Sequence, residues 1–80
     1  MVTRLIFMSI YTFRLNFTAD DVLGFYQGYI KAVSVMSEQR VRLQFPFHHL
    51  RPFVSRIGVR GRFRLELDEA NQIIRIEQIN

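Results

Sequence analysis

Cysteine and tryptophan are both missing from this sequence of 80 residues, and lysine occurs only once, at Lys31. Without cysteine the chain has no disulfide, no thiolate ligand for zinc and no cysteine nucleophile, which fits a reducing compartment. No apolar run approaches the ~20 residues that a membrane-spanning helix needs. We therefore expect a cytoplasmic protein that folds in water without contact with a membrane.

The length of the chain predicts a single domain over residues 1–80, because separate cores form only in chains two to three times longer. Apolar residues make up 49% of the sequence and charged residues 22%, which are ordinary values for a globular protein. Residues 1–7 add little to the alternating pattern that follows them. We therefore expect Met8 to be a candidate for the true start and residues 1–7 to be an over-long N-terminus.

A strand and a helix are predicted in the first third of the chain. Apolar and polar side chains alternate strictly from Tyr11 to Phe17, which is typical of a half-buried strand. Thr18 and Asp21 then have the spacing of a shortened capping box, and Gly28 suits the position after a helix. The pattern predicts a helix over about residues 19–27. Because a helix this short is not stable alone, it must pack on a sheet.

Two hairpins are predicted after the helix. The first has its turn at residues 37–39 and places Val35 opposite Val41 on the core face. The second has a four-residue turn at residues 69–72. Its predicted facing pairs are Leu67 with Ile74, Leu65 with Ile76, Glu66 with Arg75, and Arg64 with Glu77.

Residues 46–59 connect the two hairpins and are too apolar for a plain surface loop. We expect this irregular apolar connection to fold over one edge of the sheet, with a short edge strand at residues 52–54, since the residue before Pro52 is biased towards extended backbone. The predicted fold is α+β: an antiparallel sheet of four to five strands with one short helix packed on one face, in the order β-α-β-β-β-β.

Four sequence blocks carry a resemblance to a known family. They are Phe25-Tyr26-Gln27-Gly28, Leu43-Gln44-Phe45-Pro46, Leu50-Arg51-Pro52-Phe53-Val54 and Gly58-Val59-Arg60-Gly61-Arg62-Phe63-Arg64-Leu65. At this spacing the chain resembles, from about Tyr11 to Asn80, the short bacterial proteins of domain-of-unknown-function family 2835. Residues 1–7 lie outside the resemblance, and small or variable residues are expected in place of residues 47–49. The resemblance implies a bacterial, cytoplasmic origin and transfers no functional residue, because the family has no assigned activity.

The residue patterns of catalytic and metal sites are missing from the sequence. His48 and His49 are the only histidines, and no acid lies between Glu38 and Glu66, so that a Ser-His-Asp arrangement is not predicted. Neighbouring side chains of an extended segment point in opposite directions, and two histidines fall short of the three or four ligands of a zinc site. We therefore expect no enzyme activity, no metal and no cofactor.

Positive charge is concentrated in the second half of the chain, whose net charge is +4. Seven arginines and no acid lie between Glu38 and Glu66, whereas the rest of the chain has four basic and seven acidic residues. The alternation predicts that four of these arginines share the sheet face opposite the helix, namely Arg40, Arg42, Arg60 and Arg62. Such a stripe can bind the phosphates of RNA or another polyanion. Because this face offers no aromatic side chains to stack on bases, binding would be electrostatic and salt-dependent.

Two other interpretations of this face remain. Arginine, methionine and apolar side chains together are typical of protein interfaces, and a homodimer would add burial that a small domain lacks. The apolar residues expected among the arginines are Ile10, Met36, Ile73 and Ile79. The sequence therefore favours a small binding module for RNA or another polyanion, with a protein-protein interaction module or homodimer as the alternative. A plain solvated face whose arginine content reflects genome base composition also remains.

Overall fold

The computed structural model describes residues 9–80 of the chain. Its elements in order are β1 (Ser9–Phe17), α1 (Ala19–Tyr26), β2 (Ala32–Met36), β3 (Arg42–Pro46), a 3-10 helix (Phe47–Phe53), β4 (Val59–Leu67) and β5 (Ile73–Gln78). The predicted α+β class is confirmed. Within residues 9–80 no helix combines the length and the apolar character needed to cross a membrane. The expectation that Met8 is the true start concerns residues outside the described part of the chain.

The five strands are divided between two antiparallel sheets, where the sequence predicts a single one. β4 lies between β1 and β5 in a three-stranded sheet, and β2 pairs with β3 in a two-stranded sheet. The alternation of apolar residues shows which side chains of a strand share a face, but it does not show which strands pair. One sheet and two facing sheets therefore produce the same sequence pattern.

The buried faces of the two sheets meet through phenylalanine rings. Phe13 on β1 is fully buried, and its ring centroid lies 5.8 Å from that of Phe63 on β4 and 5.9 Å from that of Phe45 on β3. Aromatic pairs at this separation add ~0.5–1.5 kcal/mol each beyond the burial of their area. The rest of the buried core is formed by Leu15, Val22, Val33, Leu43, Phe47, Leu50, Val59 and Leu65.

α1 begins where the sequence predicts and packs on the core face of the three-stranded sheet. The amide of Asp21 donates to Thr18 Oγ1 over 3.1 Å, and the amide of Thr18 donates to Asp21 Oδ2 over 2.9 Å, so the capping box is complete. The Phe25 ring lies 5.4 Å from Phe17 and stacks 4.3 Å from Phe47. These contacts hold the helix against the core. A helix of this length needs them, because it would not be stable alone in water.

The predicted edge strand at residues 52–54 is wrong, because Pro52 and Phe53 belong to the 3-10 helix and Val54 follows its last residue. Phe47, Leu50 and Phe53 are three residues apart, and a 3-10 helix has three residues per turn, so all three side chains share one face. Phe47 and Leu50 are buried, and the Phe53 ring lies 5.2 Å from that of Phe63. Burial of this apolar row outweighs the preference of Arg51 for extended backbone before Pro52.

The predicted register of the first hairpin is wrong by two residues, because Val35 pairs with Leu43. The turn comes later than expected: the amide of Arg40 donates to the carbonyl of Ser37 over 3.0 Å, and the amide of Val41 donates to Ser37 Oγ over 3.0 Å. Arg40 adopts a left-handed φ of 66°. Non-glycine residues seldom adopt this conformation, so the sequence does not signal it.

The second hairpin confirms three of its four predicted pairs. A β-bulge between Glu66 and Leu67 places Leu67 opposite Ile73, so the predicted pairing of Leu67 with Ile74 is wrong. A bulge inserts one extra residue into a strand and shifts every pair beyond it. Ile74, which would otherwise face the core, is therefore 51% exposed. The confirmed pairs are Leu65 with Ile76, Glu66 with Arg75, and Arg64 with Glu77.

We predict that Gly58→Ala unfolds the protein far more readily than Gly28→Ala. Both glycines have a positive φ, 115° at Gly58 and 81° at Gly28. A Cβ on Gly58 would lie 1.9 Å from the carbonyl oxygen of Phe17, whereas a Cβ on Gly28 has no neighbour within 4 Å. Gly28→Ala should cost ~1–2 kcal/mol for the left-handed backbone alone. Gly58→Ala should cost more than ~3 kcal/mol, because β1 must also move.

Urea unfolding followed by far-ultraviolet circular dichroism measures both variants of this pair. Equal losses of stability in the two variants would show that the contact between Gly58 and Phe17 is unimportant.

Candidate functional site

The four arginines of the predicted stripe are carried by two different sheets. Arg60 and Arg62 lie on β4, whereas Arg42 begins β3 and Arg40 lies in the turn before it. The expected common face of one sheet is therefore not formed. The part of it that does form is the outer face of the three-stranded sheet, which carries Arg60, Arg62, Arg64 and Glu66 on β4. The role of the four arginines in binding stays a prediction.

Arg62 is engaged in an ion pair with Glu38. Its Nη2 lies 2.7 Å from Glu38 Oε1 and its Nε donates to Oε2 over 3.0 Å, so the guanidinium holds the carboxylate with two parallel bonds. The hydroxyl of Thr12 donates to the same carboxylate over 2.6 Å. These contacts lower the pKa of Glu38 to about 2, and the hydrogen bond from Arg62 is the largest cause. Glu38 in turn raises the pKa of Arg62.

The tip of the first hairpin is bound to the outer edge of β1, and we call this contact the edge clasp. The amide of Glu38 donates to the carbonyl of Thr12 over 2.7 Å, and the amide of Thr12 donates to Gln39 Oε1 over 2.9 Å. Arg14 Nε lies 3.9 Å from Glu38 Oε2. Because both backbone groups of Thr12 are satisfied, this stretch of β1 cannot pair with another chain. The clasp involves Glu38, Gln39, Thr12, Arg14 and Arg62.

A second charged network covers the other end of the outer face. Glu66 is only 4% exposed, and its Oε2 accepts from Arg64 and, over 2.9 Å, from Arg75 Nη2. Arg64 Nη1 also donates to Glu77 Oε1 over 3.0 Å. The hydrogen bond from Arg75, followed by the positive charges of both arginines, lowers the pKa of Glu66. Both ion pairs predicted across the second hairpin are thus present, and they use much of the positive charge of this face.

Arg60 and Arg42 bond to neutral side chains, so these contacts do not compensate their positive charge. Arg60 Nε donates to Asn16 Oδ1 over 2.8 Å, and Arg42 Nη1 lies 3.5 Å from Ser34 Oγ. Both side chains are exposed. The apolar residues expected beside the arginines are also dispersed. Ile10 and Ile79 belong to the three-stranded sheet or its end, Met36 lies on β2, and Ile73 faces a cleft between the sheets.

This cleft lies between β3 and the three-stranded sheet and has a volume of about 540 Å³. Its apolar lining from the three-stranded sheet consists of Tyr11, Leu65, Leu67 and Ile73, and its other side is formed by every residue from Val41 to Pro46. His49, Asn71 and Gln72 complete the lining. Among the described residues no acid lines the cleft, and Arg42 provides its fixed positive charge. Burial, followed by the charge of His48, lowers the pKa of His49.

The edge of β3 that borders the cleft is unpaired within the described strands, since β3 pairs only with β2. The amide of Ser37 donates to the carbonyl of Val41 over 2.9 Å, so Val41 bonds towards β2. Bonding direction alternates along an antiparallel strand. The amide and carbonyl groups of Arg42 and Gln44 therefore point away from β2, and Pro46 adds a carbonyl only. Sequence reasoning missed this edge because it placed β3 inside one continuous sheet.

His48 and His49 lie side by side, with ring centroids 4.1 Å apart. The expectation that their side chains point in opposite directions is wrong, because the segment is a 3-10 helix and not extended. The His49 ring also lies 6.3 Å from that of Phe45, at the border of the cleft. Across residues 9–80, no three side chains of histidine, cysteine, aspartate or glutamate come together in an arrangement that would hold a metal ion.

The fold and this open-edged cleft define a small α+β domain with an accessible strand. The family model described as "Protein of unknown function (DUF2835)" matches residues 9–79. The chain belongs to this family, which confirms the resemblance indicated by the four sequence blocks. Comparison with curated proteins and with solved structures found no match in either case.

We predict that the edge clasp makes stability depend on pH in the acid range. The pKa of Glu38 is lowered from 4.5 to about 2 in the folded chain, so its contribution is fully present above about pH 4.5 and is lost as the pH falls towards 2. Glu38→Gln should be less stable than wild type at neutral pH and should lose less stability on acidification. Urea midpoints measured across this range test the difference.

Arg62→Gln is the matched variant, because it removes the main cause of the low pKa of Glu38 and leaves the acid in place. It should flatten the pH dependence as Glu38→Gln does. If wild type and both variants lose stability in parallel on acidification, the clasp does not contribute to folding.

Proposed function

We propose that this chain is a small non-enzymatic interaction module that binds an extended segment of another protein along β3. The observation that carries this proposal is the unpaired edge of β3 beside an apolar cleft of about 540 Å³. Of the interpretations that the sequence leaves open, this is the protein-interaction module. The binding surface, however, is the cleft between the sheets and not the arginine-bearing face.

Strand addition would use both parts of this surface. An added strand receives hydrogen bonds from the backbone of the sheet edge, and its alternate side chains enter neighbouring pockets. Arg42 and Gln44 supply two outward amides and two outward carbonyls. The apolar lining at Leu67 and Ile73 supplies the pocket for the alternate side chains. Since Pro46 has no amide to donate, the bonded segment ends there and spans about five residues.

The charge of the cleft indicates what the partner segment contains. Arg42 is exposed and lies at the start of the open edge, and among residues 9–80 its hydrogen-bond partner is the hydroxyl of Ser34. With no acid in the cleft lining, an acidic residue of the partner opposite Arg42 gains a charge-assisted hydrogen bond. The segment we propose therefore has apolar residues at alternate positions and an aspartate or glutamate at one end.

Binding of RNA or another polyanion is the second candidate function. The neutral partners of Arg42 and Arg60 favour it, because these two charges remain available to phosphates. The ion pair of Arg62 with Glu38 weakens it, since a phosphate would have to compete with that carboxylate. For either function we place the protein in the bacterial cytoplasm, which the lack of cysteine supports.

We predict that Gln44→Pro abolishes peptide binding and that Gln44→Ala does not. Proline lacks the amide that an added strand needs, and it is tolerated in a strand where the amide points out of the sheet. Selection from displayed random nine-residue peptides should enrich segments with alternating apolar residues. Fluorescence anisotropy of a selected, labelled peptide should then show affinity at least ~10-fold weaker for Gln44→Pro than for Gln44→Ala.

Two outcomes would contradict strand addition at β3. One is a selection that enriches no peptide, and the other is equal affinity of the two Gln44 variants. Retention of poly(U) RNA on filters at low salt, lost in the double variant Arg42→Glu with Arg60→Glu, would instead support the polyanion function.

A further inference from the structure

The outer edge of β5 is unpaired within the described strands, as are the free edges of β2 and β3. β1 and β5 are the two outer strands of the three-stranded sheet, and only the edge of β1 is covered by the edge clasp. β5 has six residues and contains no proline, so each of its residues keeps a backbone amide that can donate to a partner strand. An unpaired strand edge presents amides and carbonyls to which a strand of another chain can bond.

The backbone pairing shows which groups of β5 are free. The amide of Ile79 donates to the carbonyl of Arg62 over 2.8 Å, so Ile79 bonds towards β4. Because bonding direction alternates along an antiparallel strand, Glu77 and Arg75 also bond towards β4. The amides and carbonyls of the residues between them point outwards. These residues are Ile76 and Gln78.

We propose that β5 pairs antiparallel with β5 of a second copy of this chain, about a two-fold axis at Ile76. Hydrogen bonds between the two copies form only where outward-pointing backbone groups of one β5 face those of the other. Near the centre of the strand this leaves three registers, with the two-fold axis at Arg75, Ile76 or Glu77. An axis at Arg75 places two arginines opposite each other, and an axis at Glu77 places two glutamates opposite each other. Only the axis at Ile76 places Arg75 of each copy opposite Glu77 of the other, which forms two opposite-charge pairs.

The side chains of this edge are positioned for that pairing. Arg75 and Glu77 both project from the outer face, where ion pairs with Glu66 and Arg64 hold them, and their side chains remain 57% and 42% exposed. In the proposed register they form non-hydrogen-bonded pairs, in which opposing side chains are closest. Ile74, which is 51% exposed, lies beside the new pair. The two three-stranded sheets would join into one continuous six-stranded sheet.

This dimer is independent of the proposed function at β3. β3 belongs to the other sheet, and no residue of β5 except Ile73, at its first position, lines the cleft. Failure of peptide binding would therefore leave the dimer unaffected, and a monomeric protein would leave the cleft unaffected.

Charge reversal tests the register, with the solution mass measured by sedimentation as a function of concentration. Arg75→Glu gives a chain with acids at both positions, and Glu77→Arg gives a chain with arginines at both. Each variant alone sets like charges opposite each other twice, and its dimer should dissociate at least ~10-fold more readily than that of wild type. An equimolar mixture of the two restores both opposite-charge pairs and should recover the wild-type dimer.

Arg75→Glu places an acid beside the buried Glu66 and so disturbs the fold as well as the proposed interface. A second experiment tests the register without this variant. The chain has no cysteine, so single introduced thiols report contacts without background. Arg75→Cys and an affinity-tagged Glu77→Cys are mixed and oxidised, and the mixed disulfide should exceed either homodisulfide. Far-ultraviolet circular dichroism checks that each variant is folded.

Three results would overturn the proposal. They are a wild-type chain that stays monomeric at its highest soluble concentration, a dimer that neither charge reversal weakens, and homodisulfides of Arg75→Cys or Glu77→Cys that exceed the mixed product.

Discussion

Phe13 connects the two sheets, and the other surfaces depend on where it holds them. Its ring packs against Phe63 within the three-stranded sheet and against Phe45 of the facing sheet. This contact holds β3 against the core face of β1, and the cleft lies between β3 and the three-stranded sheet, where Leu67 and Ile73 line it. It also brings the first hairpin close enough for Glu38 to reach around β1 to Arg62. The cluster of Phe13, Phe45 and Phe63 thus positions both the covered edge of β1 and the open edge of β3.

The charge of the protein is used mainly within the chain. Glu38 and Glu66 each bind arginines of the outer face, and both acids have a lowered pKa as a result. The ion pair of Glu38 with Arg62 is partly exposed and contributes modestly to stability, whereas the buried Glu66 needs its arginines because an unpaired buried charge is costly. The net charge of +4 is therefore a poor guide to the sites that remain open to a partner. Arg42 and Arg60 bond to neutral partners, so they are better candidates for contact with an anionic partner than the arginines held in ion pairs.

Local sequence signals predicted the elements that depend on local interactions. The capping box of Thr18, the half-buried strand through Phe13 and the pairing of Glu66 with Arg75 all follow from residues near one another in the chain. The left-handed φ of Arg40 is a local conformation that a non-glycine residue does not signal. The division into two sheets and the bulge before Leu67 depend on long-range packing, which no local pattern records. The candidate site was missed for the same reason, since the open edge of β3 exists only because the sheets are separate.

The pairing of β1 with β4 has a consequence for synthesis of the protein. Phe13 lies opposite Phe63, and the helix α1, the first hairpin and the 3-10 helix are all made in the interval between them. On the ribosome, the first strand leaves the exit tunnel long before its central partner exists, while each hairpin can close as soon as it emerges. The apolar side of this strand must therefore be shielded from neighbouring nascent chains until translation is almost complete.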